Sequence, residues 1–71
     1  MNRIKHRGMK VEEVLANKGV DISTLSRLIN LNKDHINVLF GDQFLEYDII
    51  SFIGKQVGHD FSKEFPEMKQ F

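Results

Sequence analysis

The side chains best suited to chemistry in this sequence lie together between residues 32 and 41. On a helix turning about 100° per residue, Asp34, Asn37 and Val38 face one side, and Lys33 and His35 flank them. Carboxylate, amide, methyl and ammonium groups in this arrangement can contact the edges of nucleic-acid bases. A solvated helix face is polar as well, so the surrounding elements must decide between the two interpretations.

Two short amphipathic segments position this face. Apolar residues recur at helical spacing in both: Ile22, Leu25, Leu28 and Ile29 in the first, and Ile36, Leu39 and Phe40 in the second. Only Asn30–Asn32 separate the segments, and so short a connection predicts two helices that cross steeply over a shared core. The outer face of the second helix would then project, as it must to enter a major groove.

Capping residues delimit these helices. We expect Asp21 and Asn32 to cap the second and third helices, because their side-chain oxygens can accept from free backbone amides. The first helix is predicted over 9–17, closed by Lys18 and Gly19, with four apolar residues on its buried side: Met9, Val11, Val14 and Leu15. Gly41 and Asp42 end the third helix.

A fourth helix is predicted from about residue 45 or 46 to Val57, ended by Gly58. Its apolar positions are Leu45, Ile49, Phe52, Ile53 and Val57. One more helical turn follows near 62–65, with Asp60 or Ser62 as its cap. The pattern predicts an all-α fold of four to five helices: a basic arm at 1–8, a helix-turn-helix domain at 9–61 and a tail at 62–71.

Composition excludes several function classes. A chain of 71 residues forms one domain, too small for a buried catalytic cleft. It has no cysteine, and His6, His35 and His59 lack the spacing of zinc ligands. With no paired nucleophile and base and no phosphate-cradling loop, we expect no enzyme activity, no cofactor and no small-molecule substrate. No apolar run is long enough to span a membrane, so a soluble cytoplasmic protein is expected.

Charge is distributed unevenly along the chain although its formal net value is zero. Residues 1–19 carry five basic residues against two acids, whereas residues 42–71 carry three lysines against six acids. Such asymmetry suits one basic surface for a polyanion, although many small domains have uneven charge without that purpose.

Phosphate contacts are expected beside the base-reading face. Lys33, Gln43 and the amides at the N-termini of the second and third helices are candidates. Arg27 is another, although it could instead cover apolar side chains. The candidate DNA-binding residues are therefore Arg27, Asn32, Lys33, Asp34, His35, Asn37, Val38 and Gln43.

These residues resemble the lambda-repressor-like, Cro/C1-type (XRE) helix-turn-helix family, especially compact regulators from the Bacteroidetes. The resemblance covers about residues 4–65. It is carried by 4–8 with Val11, Val14, Leu15 and Gly19; by Leu25, Ser26, Ile29 and Leu31; by 36–40; and by 53–61. It implies a helical bundle in which Lys33, Asp34, Asn37 and Val38 face the bases.

Two positions depart from the family pattern. Asn30 stands where the turn usually has glycine, which is tolerable because asparagine enters left-handed conformations readily. Ile22 stands where the family often has a glutamine that binds a phosphate, and an apolar side chain cannot do so. This departure at Ile22 therefore implies that the chain binds DNA with modest affinity.

The expected function is sequence-specific binding of double-stranded DNA by a transcriptional regulator, most simply a repressor, acting as a homodimer. In the tail we expect Phe61 to fold back on the fourth helix, while Phe65 and Phe71 meet a second copy. One alternative is a protein-interaction module on the same scaffold, with weak or no DNA binding. Another is a structural component of a toxin–antitoxin or phage assembly.

Overall fold

A computed structural model describes residues 6–70, and their side chains as far as residue 68. Four α-helices follow one another: α1 (Arg7–Asn17), α2 (Ile22–Ile29), α3 (Lys33–Phe40) and α4 (Tyr47–Val57). Two 3₁₀ segments follow, Phe61–Lys63 and Pro66–Gln70. We call them, together with Glu64 and Phe65 between them, the C-terminal segment. No strand occurs between residues 6 and 70, so the all-α prediction is confirmed.

The helix ends follow the capping signals in the sequence. Asp21 accepts a hydrogen bond from the Thr24 amide at 2.8 Å, and Asn32 accepts one from the His35 amide at 2.8 Å. Gly58 ends α4 with a φ of 74°, a left-handed conformation that glycine adopts without strain. The predicted caps of α2 and α3 and the end of α4 are therefore confirmed.

The core lies where the four helices and the C-terminal segment meet. Its buried apolar side chains are Val11, Val14, Leu15, Leu25, Ile29, Ile36, Phe40, Leu45, Ile50, Ile53, Phe61 and Phe65. Helix α3 packs against α1 and α2, and α2 also packs against α4. A Cβ on Gly8 would lie 2.4 Å from the Phe40 carbonyl oxygen, so only glycine lets α1 approach the end of α3 this closely.

Three residues expected on the buried sides of helices are exposed instead: Met9, Leu28 and Phe52. Leu28 is 44% exposed, because Leu25 and Ile29 fix the buried side of α2 and leave Leu28 at its edge. Met9 lies outside the α1 stripe, because Gly8 and Val11 turn the opposite side of that helix inward. Phe52 is 47% exposed, and Ile50 is buried in its place. The apolar pattern of α4 fits two overlapping stripes, and the close approach of the chain at 59–61 to Gly54 selects the one that excludes Phe52.

The C-terminal segment packs into the core, which contradicts the expected role of Phe65. The Phe65 side chain is fully buried, and its ring centroid lies 6.1 Å from that of Tyr47 and 6.5 Å from that of Phe61. Phe61 is also buried, beside Gly54 of α4, as predicted. Phe65 is therefore a core residue and is not free to meet a second copy; Phe71 lies outside the described residues.

Candidate nucleic-acid interface

Helix α3 is fixed to the domain along one side. Ile36 and Phe40, one turn apart, are buried in the core, and Leu39 beside them is half-buried. Because both anchors lie on the same side of an eight-residue helix, the opposite side is available to other molecules.

The connection between α2 and α3 is a tight turn stabilised by its own side chains. Asn30 adopts a left-handed conformation with φ of 59° and ψ of 44°, the role that the sequence assigned to it. The Ser26 hydroxyl donates to the Leu31 carbonyl oxygen, and the Leu31 amide donates to the Ser26 carbonyl oxygen at 3.2 Å. These bonds fix the start of α3 relative to α2.

The surface of α3 outside its anchors carries the candidate base-reading residues, with Asp34 and Val38 opposite the anchors and Lys33 in the exposed first turn. Lys33, Asp34, His35 and Asn37 are all exposed, and Val38 is 68% exposed. The arrangement on the helix wheel is therefore confirmed for this face. We call the exposed side chains of Lys33, Asp34, Asn37 and Val38 the outer α3 face.

The N-termini of α2 and α3 differ in charge. Hydrogen bonds from Thr24 to the Asp21 carboxylate lower its pKa, so α2 begins beside a negative charge. At α3 the equivalent cap is the neutral amide of Asn32, and Asp34 is the acid in its first turn. Each N-terminus therefore has one carboxylate, but the first turn of α3 also has the exposed Lys33, so of the two N-termini α3 suits a phosphate better.

The cations expected to bind phosphate lie around this same region. Arg27 in the last turn of α2 and Lys33 in the first turn of α3 are both exposed. Their positive charges contribute to lowering the pKa of Asp21, after the larger effect of the Thr24 hydrogen bonds. Arg27 and Lys33 are therefore within electrostatic reach of one carboxylate, and their charge is partly offset by it.

Comparison with protein-family models, with curated proteins and with solved structures gave no match. The interpretation of the outer α3 face therefore depends on the geometry of this chain.

Arg7 has a structural role that sequence reasoning missed. Its guanidinium carbon lies 4.1 Å from the centroid of the Tyr47 ring, and its Nη1 donates to the Leu45 carbonyl oxygen at 3.2 Å. The Tyr47 hydroxyl donates in turn to the Glu67 carboxylate, which raises the pKa of Tyr47. Arg7 thus connects α1 to α4 and the C-terminal segment.

Helix α1 begins within the predicted basic arm. It starts at Arg7, two residues earlier than expected, with the His6 Nδ1 accepting from the Met9 amide at 3.0 Å. The Arg7 amide also donates to the Gln43 carbonyl oxygen at 3.1 Å, which ties the arm to the loop after α3. Gln43 is half-buried there. The other basic residues of the arm, Arg3 and Lys5, lie outside the described residues.

An open groove of about 340 Å³ runs between α1 and α2. Its lining includes Leu15, Val20, Ile22 and Leu25, with the carboxylates of Glu12 and Asp21. This lining contains no hydroxyl, thiol or imidazole group that could act as a nucleophile or a histidine base.

Among residues 6–68, no group of three or more histidine, cysteine, aspartate or glutamate side chains is arranged to hold a metal ion. No helix in the described range has the length and hydropathy required to cross a membrane.

Proposed function

We propose that this chain binds duplex DNA through the outer α3 face, as a helix-turn-helix regulator of transcription acting in the cytoplasm. The observation that carries the proposal is the contrast across α3. Ile36 and Phe40 hold one side in the core, while the opposite side exposes polar and methyl groups after a rigid turn. Repression by occupying a site on DNA is the simplest regulatory outcome of such binding.

The dimensions of the outer α3 face suit base contacts. An α-helix is about 10–12 Å in diameter and the major groove is about 12 Å wide. Asp34 and Val38 are separated by about 6 Å along the axis, close to two base-pair steps of about 3.4 Å. The face can therefore reach neighbouring bases without bending the helix.

Each side chain of this face has a matching base edge. Asn37 can pair with adenine through two hydrogen bonds, and Asp34 can accept from the cytosine amino group. Val38 can contact a thymine methyl group, which supplies a use for an apolar side chain that is 68% exposed. Lys33 can donate to guanine or to a phosphate.

Selection of bound sequences from random duplex DNA, followed by salt titration of the enriched sequence, tests the proposal. We expect an enriched motif and an affinity that falls as salt rises, because phosphate contacts release counterions. Lys33→Ala should reduce the slope of log affinity against log salt by about one if Lys33 contacts a phosphate. Lys63→Ala is the matched control, since Lys63 is also exposed but lies in the C-terminal segment.

A protein-interaction module is the second candidate function. Asp21 places a carboxylate at the start of α2 and Asp34 places one at the start of α3, and Ile22 cannot bind a phosphate. These features favour a protein ligand for the exposed Val38 surface, including a role as an antitoxin-like component. Such a module should yield no enriched motif and should bind random duplex no better in low salt than in high salt.

A further inference from the structure

A second exposed surface lies on α4. Ile50, Ile53 and Gly54 face the core, and Phe52 lies about 160° around the helix from both Ile50 and Gly54. Phe52 is 47% exposed and Ile49 beside it is half-buried. Three exposed polar side chains surround this ring: Asp48, Lys55 and Gln56. We call the surface formed by these five residues the α4 face.

We propose that the α4 face binds the α4 face of a second copy of this chain, with the two helices antiparallel and the two Phe52 rings at the two-fold axis. The inference goes beyond DNA binding, because self-association can be measured without nucleic acid. It also replaces the tail as the expected dimer contact, since Phe65 is buried in the core.

The charges of the α4 face are complementary to themselves in this arrangement. Asp48 lies about 6 Å before Phe52 along the helix axis, and Lys55 lies about 4.5 Å after it. Both lie on the same side of Phe52, about 40° and 60° around the helix. A two-fold axis through Phe52 therefore brings Asp48 of each copy opposite Lys55 of the other.

Other arrangements lack this match. Two parallel α4 helices about a two-fold axis would place Asp48 level with Asp48 and Lys55 level with Lys55, on opposite flanks of the contact, so no pair of opposite charges would meet. The helix dipole also favours an acid in the first turn and a base in the last, so it accounts for the two charges alone. It does not account for the exposed aromatic ring between them, which an isologous contact would cover.

The contact should be weak in the absence of DNA. An 11-residue helix offers less than the surface of about 800 Å² per partner that stable complexes bury. Two copies held on adjacent half-sites have a high effective concentration for each other, so a weak contact suffices there. Free chains should therefore exchange rapidly between monomer and dimer.

Sedimentation over a range of concentrations tests the apolar part of the contact. Phe52→Glu should weaken self-association by about tenfold or more, because it places two carboxylates at the axis. Phe44→Glu is the control, since Phe44 is 59% exposed but precedes α4. A parent chain that stays monomeric at every concentration overturns the proposal, as does a folded Phe52→Glu variant that associates like the parent.

Exchanging charges tests the contact and its orientation. The single variants report the orientation, because in a parallel pair each charge would already be level with its own kind in the parent chain. Asp48→Lys alone and Lys55→Asp alone should each reduce self-association, because like charges then meet at both ends. Mixing the two single variants should restore association as a heterodimer, in which opposite charges meet at both ends. If the folded mixture associates no better than either variant alone, the antiparallel contact is wrong. If the single variants lost association only because their new charges oppose the helix dipole, the loss would arise within each chain, and mixing the variants would not restore association.

Discussion

Helix α3 and the C-terminal segment are both short, and each buries two apolar side chains, but helix α3 also leaves the apolar side chain of Val38 exposed. Helix α3 hides two apolar anchors and presents polar groups and Val38, whereas the C-terminal segment hides both Phe61 and Phe65. The helix packs against α1 and α2 along one side only, while the segment closes over Tyr47 and Gly54 of α4. Whether an aromatic or apolar residue is exposed is thus decided by the element that covers it.

The largest effect should follow truncation of the ring that the C-terminal segment buries. We expect Phe65→Ala to lower the free energy of unfolding by about 3–5 kcal/mol, a large part of the stability of a small domain. Phe44→Ala, at a ring that is 59% exposed, should change it by less than about 0.5 kcal/mol. Urea unfolding followed by circular dichroism measures both. Equal stability of the two variants would place Phe65 outside the core.

The packing of α1 against the end of α3 can be disturbed without changing any side chain of α3. The Cβ added by Gly8→Ala would meet the carbonyl oxygens of Phe40 and Leu39 at 2.4 and 2.6 Å. Alanine gains about 0.5–1 kcal/mol in helix propensity, but overpacking against backbone atoms costs about 1–3 kcal/mol. A lower melting temperature is therefore expected. Gly41→Ala has its nearest contact at 3.5 Å and should melt like the parent or slightly higher.

Binding should respond to the outer α3 face without any change in folding. Asn37→Ala should weaken binding to a selected sequence by roughly 1–3 kcal/mol and relax the preference at one base pair. Asn17→Ala, at an exposed asparagine on α1, is the control. Fluorescence anisotropy with matched and mismatched duplexes measures the change. Unaltered affinity and preference for folded Asn37→Ala would remove this residue from the reading role.

The smallest expected effect is on stability in acid. Hydrogen bonds from Thr24 lower the pKa of Asp21 at the start of α2, and those from Ser62 lower the pKa of Asp60 at the start of the C-terminal segment. A carboxyl whose folded pKa lies below its unfolded value adds stability at neutral pH. That stability is lost as pH falls below about 4. Asp21→Asn and Asp60→Asn should each flatten the fall of melting temperature between neutral pH and acid, and a slope identical to the parent's would contradict this.

The predictable parts of this fold are those that depend on neighbours in sequence. Asp21 and Asn32 accept from amides three residues ahead, so their capping follows from residue type and position alone. The exposure of Asp34, Asn37 and Val38 likewise follows from the period of one helix anchored by Ile36 and Phe40. Contact of this face with DNA stays a prediction.

The parts that the sequence did not predict depend on distant contacts. Phe52 and Phe65 are chemically identical, and only the packing of the C-terminal segment buries one and leaves the other 47% exposed. The guanidinium group of Arg7 is of the kind that binds phosphate, but here it contacts the Tyr47 ring and the Leu45 carbonyl oxygen instead. No periodic pattern within a single helix encodes these partners.

The bond from Arg7 to the Leu45 carbonyl also has a consequence for synthesis of the chain. It joins residues 38 positions apart, and the Tyr47 ring beside it bonds to Glu67, a further 20 positions on. On a ribosome, which extends a chain by about 5–20 residues per second, the start of α1 waits seconds for these partners to emerge. The turn between α2 and α3 closes within five residues, so these two helices can form before the start of α1 has made its contacts with Leu45 and Tyr47.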